Sequence, residues 1–83
     1  MKTTILGLKI TQRAEKSTEV QDVLTKFGCS IHTRLGLHEA SEDYCSQEGL
    51  IILELVGDVG EMLKLEEALK QIPGVEVQKM VFD

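Results

Sequence analysis

The chain opens on an alternating run. From Thr3 to Ile10, Thr4, Leu6, Leu8 and Ile10 fall on one side and Ile5, Gly7 and Lys9 on the other, a period of two that predicts a strand. Residues 11–16 are polar and read as a connection. The period then changes. Val20, Val23, Leu24 and Phe27 stand at i, i+3, i+4 and i+7, one apolar stripe that predicts a helix over residues 17–27. Thr18 and Gln21 have capping-box spacing for its start, and Gly28 stands where a left-handed residue would end it. In residues 31–37, Ile31, Thr33, Leu35 and Leu37 form the expected buried side of a second strand, with His32, Arg34, Gly36 and His38 opposite. Residues 39–49 make a loop with acids at Glu39, Glu42, Asp43 and Glu48. Residues 50–56 are apolar at nearly every position, the pattern of a central strand buried on both faces. Asp58 and Glu61 have capping-box spacing before a helix over residues 59–72, whose inner side is Met62, Leu65, Leu69 and Ile72, helped by Leu63 and Ala68. Pro73 and Gly74 end it, and residues 75–82 form a last strand with Val75 and Val77 inward and Met80 and Phe82 on the other side.

The order is strand, helix, strand, strand, helix, strand. Two β-α-β crossovers interleave into an α+β, ferredoxin-like βαββαβ fold: a four-stranded antiparallel sheet with two helices on one face, as a single domain over residues 1–83. The other face is open. Ile5, Leu50, Ile52, Met80 and Phe82 are expected there, with His32, Arg34 and Glu54. An apolar patch of that kind marks an interface, most simply with a second copy. A homo-oligomer, dimer or tetramer, is therefore expected through Ile5, Ile52, Met80 and Phe82. On the same parity argument, His32, Arg34, Gly36 and Glu54 form a candidate ligand or interface site. Gly36 leaves a gap beside the Arg34 guanidinium, which suits a carboxylate from a ligand or partner because arginine holds carboxylates bidentately. The plainer reading pairs Arg34 with Glu54 across the strands, or leaves it in solvent.

Composition narrows the field. Apolar residues make up 42% of 83, ordinary for a folded domain; tryptophan is absent and the aromatics are Phe27, Tyr44 and Phe82, so the core is aliphatic. A chain this short hides only roughly 60–68% of its unfolded surface, so a site between subunits is easier to build than a large internal pocket. The net charge of −5, with scattered basic residues and few aromatics, argues against direct nucleic-acid binding. No run approaches the roughly 20 apolar residues of a membrane span and no signal peptide is evident, so a cytoplasmic protein with no membrane partner is expected. Cys29 and Cys45 read as reduced thiols.

No chemistry-bearing constellation emerges. Cys29, His32, His38 and Cys45 have ligand types suited to zinc. On a straight strand, however, His32 and His38 stand roughly 20 Å apart. The acidic loop over residues 39–48 lacks the alternating acids and central glycine of a calcium loop. Gly57 and Gly60 do not spell a phosphate loop, and no nucleophile has a base beside it. The chain has no asparagine, which ferredoxin-like acylphosphatases need, and no C-x-x-C after the first strand, which heavy-metal carriers need. A protein without catalysis, cofactor or metal is expected.

Three segments carry a resemblance. The second strand reads I-H-T-R-L-G-L from Ile31, the third G-L-I-I-L-E-L-V-G-D from Gly49, and the end L-E-E-A-L-K-Q-I-P-G-V-E-V from Leu65. Together they resemble the small ACT-like proteins described as regulators of the iron-only hydrogenase system, most specifically through Arg34, Gly36 and Leu37. That family is similar in fold to ACT domains and to the effector domain of nickel-responsive repressors, which assemble through their sheets and bind small ligands or metals between subunits. The closely spaced histidine pair of the nickel repressors is absent here. The resemblance implies an oligomeric regulatory domain with a small-molecule effector. A protein-interaction module without a ligand is the alternative, ahead of a metal-binding protein or a small enzyme with an interface site.

Overall fold

The computed structural model describes residues 3–11, 13–37 and 49–83. Strand β1 (Thr3–Ile10) alternates as its sequence predicts: Thr4, Leu6, Leu8 and Ile10 are buried, and the residues between them are not. Its two sides recruit different partners. Antiparallel β3 (Gly49–Leu55) pairs along one edge, setting Leu6 against Leu53 and Leu8 against Ile51. Antiparallel β4 (Val75–Phe82) pairs along the other, with Leu8 against Val77. Strand β2 (Ile31–Leu37) completes the sheet beside β3, in the order β2-β3-β1-β4. The architecture is βαββαβ and ferredoxin-like, as expected.

The helices fix which side of the sheet becomes the core. Helix α1 (Arg13–Lys26) presents Val20 and Leu24, and α2 (Val59–Lys70) presents Leu65 and Leu69; these pack with Leu6, Leu8, Leu53 and Leu55 in one cluster. Val23, Phe27 and Met62 flank it, as the apolar stripes predict. Leu63 departs from expectation and is half exposed. Two residues from Leu65 is about 200° round the helix, the opposite side.

Helix α1 begins four residues before the predicted start, so Thr18 lies inside it and does not cap it. Arg13, Ala14, Glu15 and Lys16 are good helix formers with no glycine or proline among them, and the helix extends through them. Gly28 does not take a left-handed conformation; it opens a short 3-10 turn over Gly28–Ser30. At α2 the cap is as expected: Gly60 N–H donates to Asp58 Oδ1 at 3.2 Å. The reciprocal half of the box is not made, because Glu61 turns to Lys64 at 3.2 Å. Positive φ is needed at Gly57 (91°), before the cap, and at Gly74 (85°), where the chain turns into β4. There, Thr11 donates both its N–H (2.9 Å) and its hydroxyl (3.0 Å) to the Gly74 carbonyl, fastening the end of β1 to the turn.

The edge strand overturns one sequence expectation. Ile31 sits opposite Leu55, but the next pair is Thr33 with Glu54, so His32 is an extra residue in the ladder. Such a bulge shifts the facing of everything after it. Arg34 and Gly36 oppose Leu53 and Ile51 and so lie on the helix side, while Thr33 and Leu35 oppose Glu54 and Ile52 on the bare side. The expected grouping of Arg34 and Gly36 with Glu54 on the bare face is therefore not formed. Among the described residues, no helix is long and apolar enough to cross a membrane.

Candidate functional site

Two features meet at one end of the sheet. The first is the bare face. Cross-strand pairs set Ile5 against Met80, Thr3 against Phe82 and Gly7 against Ile52, so Ile5, Ile52, Met80 and Phe82 share a face as expected. Gly7 keeps that face low. A Cβ there would lie 3.9 Å from Ile52 Cδ1, an ordinary contact. Met80 is 56% exposed, Phe82 54% and Leu35 52%. Leu35 was expected beneath the helices; the bulge brings it out, and straight alternation in the sequence hides it.

The bulge also builds a small polar cluster. With His32 and Thr33 both facing the Glu54 position, Thr33 Oγ1 donates to Glu54 Oε1 at 3.0 Å and His32 Nδ1 lies 3.2 Å from the same oxygen. His32 Nδ1 is also 2.9 Å from Thr33 Oγ1. His32 and Glu54 are thus brought together as the sequence suggested, without Arg34 or Gly36. All three groups are exposed, and an exposed pair of this kind contributes about 0–1 kcal/mol. Cys29 carries an exposed thiol. His38, Cys45 and the acidic segment 39–48 lie outside the described residues. Among those described, no three potential metal ligands gather.

The second feature was not visible in the sequence. A groove of about 780 Å³ runs between the first turns of α2 and the sheet end where β1 begins and β4 finishes. Leu55, Met62, Leu63 and Val81 supply apolar wall, and the lining reaches His32 and Glu54. Val56, Val59, Leu63 and Val81 are exposed apolar residues at its margin. The size is unexpected for so short a chain; it is reached because the space opens to solvent and is not enclosed.

Charge in this groove is anchored by Glu66. It is almost buried, and its two oxygens are held separately: Oε1 by Lys79 Nζ and Oε2 by Lys70 Nζ, each at 2.9 Å. The hydrogen bond from Lys79, then that from Lys70, holds the Glu66 carboxyl below its ordinary value of 4.5, against the opposing effect of burial. Glu66 in turn raises Lys70 above its ordinary 10.5. Thr4, from β1, also lines the groove and is 8% exposed. Among the described residues, its hydroxyl has no side-chain hydrogen bond.

No protein-family model and no curated protein matches the chain. Solved structures do. An uncharacterized protein from Thermotoga maritima is 25% identical across all of both chains, with a TM-score of 0.81. The ACT domain from GTP pyrophosphokinase of Chlorobium tepidum is 15% identical over 94% of this chain and 96% of its own, with a TM-score of 0.65. The apo form of a nitrogen regulatory PII-like protein from Thiomonas intermedia K12 is 11% identical over 99% of this chain and 90% of its own, with a TM-score of 0.62. The chain thus has the ferredoxin-like fold seen in ACT domains and PII-like proteins.

Proposed function

We propose that this chain is a regulatory domain that binds a small effector and works as a homo-oligomer joined through its bare sheet face. The observation that carries the reading is that face: Leu35, Met80 and Phe82 are each more than half exposed, with Ile5 and Ile52 between them. A second copy would remove this surface from water. The regulatory half draws support from the fold it shares with an ACT domain and with PII-like proteins, one of which is described bound to ADP, AMP and bicarbonate. The likeness of the strand carrying Arg34, Gly36 and Leu37 to the ACT-like regulators supports a role linked to the iron-only hydrogenase system, and the reading includes action in the cytoplasm by binding and not by catalysis.

Light scattering combined with a thermal-shift screen against metals, amino acids and nucleotides tests this. A ligand specific to the native state raises the melting temperature, and a dimeric or tetrameric mass supports assembly. A protein that stays monomeric at high concentration would refute the oligomer. An oligomer that answers to no small molecule would favour a protein-interaction module.

A further inference from the structure

The bare face is shaped for a flat partner; the groove beside α2 is shaped for a small molecule. Its volume of about 780 Å³ falls within the range of roughly 300–1,000 Å³ common for ligand pockets. Its charge is specific. One carboxylate, Glu66, lies between two ammonium groups, Lys70 and Lys79, so the trio carries one net positive charge. Of the two lysines, it is Lys79 that lines the groove. An ammonium has three donors, and Glu66 takes one of those on Lys79. Thr4 stands close by. It opposes Val81 while Leu6 opposes Lys79, so Thr4 and Lys79 are diagonal neighbours on the helix side of adjacent strands. Among the described residues, a nearly buried hydroxyl without a side-chain hydrogen bond and an ammonium with only Glu66 as acceptor therefore border the same apolar space.

We propose that this groove binds an apolar monocarboxylate, its carboxylate held between Lys79 Nζ and Thr4 Oγ1 and its hydrocarbon body against Leu55, Met62 and Leu63. This deepens the effector-binding reading and rests on it. A zwitterion fits less well. An α-ammonium beside the carboxylate would stand next to the net positive charge of Lys70, Lys79 and Glu66, whose oxygens each already accept from a lysine. The other carboxylate of the lining, Glu54, sits on β3, two strands from Lys79 and roughly 10 Å away, and already accepts from Thr33.

The test uses octanoate, octylamine and leucine as probes in calorimetry and thermal shift, with mass followed by light scattering. Octanoate should bind and raise the melting temperature, whereas octylamine and leucine at equal concentration should not. Lys79→Met, which keeps the length of the side chain, and Thr4→Val, a near-isostere, should each weaken octanoate about tenfold. Leu63→Trp, which fills the mouth from an exposed position, should abolish binding at unchanged mass. Should Lys79→Met fail to fold, Thr4→Val and Leu63→Trp decide alone. Octanoate that fails to bind, octylamine that binds equally, or undiminished affinity in Thr4→Val and Leu63→Trp overturns the inference. So does a change of mass in Leu63→Trp, which would show that a second copy covers the groove. Leucine binding without octanoate would sink this assignment and leave the effector-binding reading standing. A monomer that binds octanoate would do the reverse to the oligomer.

Discussion

The two faces of this sheet are built by the same strands from similar side chains, yet they meet different surroundings. On the helix side, Leu6, Leu8 and Leu53 are completely buried by Val20, Leu24, Leu65 and Leu69. On the bare side, Ile5 and Ile52 are partly covered, and Leu35, Met80 and Phe82 stand largely in water. Strand β3 makes the contrast sharpest. It is apolar on both sides apart from Glu54, which is the pattern of a strand enclosed twice. The chain's own helices enclose it once. The apolar residues on the other side cost solubility unless something outside the chain covers them.

The contrast can be broken from either side. Leu53→Ala should lose about 2–5 kcal/mol of stability in urea denaturation, independent of protein concentration, because it empties a site already closed within one chain. Its neighbour in sequence should behave differently. Ile52→Glu is expected to weaken association by about 2 kcal/mol or more in sedimentation, while a dilute sample still unfolds as one cooperative domain. Equal damage to the dilute chain from both substitutions would remove the distinction between the faces.

A smaller effect tests the charge on the covered side. Glu66→Gln should cost about 1–2 kcal/mol at neutral pH, through weakened bonds to Lys79 and Lys70. Because folding lowers the pKa of Glu66 below 4.5, its contribution is present above that value and lost as pH falls through the folded one. The gap between the two proteins should therefore close in acid. The stabilisation linked to the raised pKa of Lys70 runs the other way, present below 10.5 and lost as pH climbs past the folded value. The smallest change belongs to Arg34→Ala: with Arg34 exposed and off the bare face, stability should stay within about 0.5 kcal/mol of the original and the mass in light scattering should not change.

Where one period dominates, the fold can be read from the residues. The alternation of β1, the stripes of α1 and α2, the cap at Asp58 and the turn at Gly74 are all local, and the structure repeats them. The facing of β2 is not local. I-H-T-R-L-G-L alternates in either register, and only pairing with β3 shows that His32 is extra. That one residue misplaced Arg34, Gly36 and Leu35 together. The groove was hidden for a related reason. Thr4 looked like an ordinary inward strand residue, and the Lys79–Glu66 bond joins a strand to a helix across 13 positions, with no motif to announce it.

The extra residue at His32 has an implication for how such a protein could change. The side presented by Arg34 and Leu35 is set there by the bulge, not by the chemistry of either residue. Straightening the bulge with His32 retained would set His32 against Glu54, carry Arg34 to the outer surface and Leu35 beneath the helices, and leave every other strand in register. An oily docking surface would acquire a charge without a single substitution. Variants that keep or straighten this bulge would therefore differ in the company they keep while their amino acids remain nearly the same.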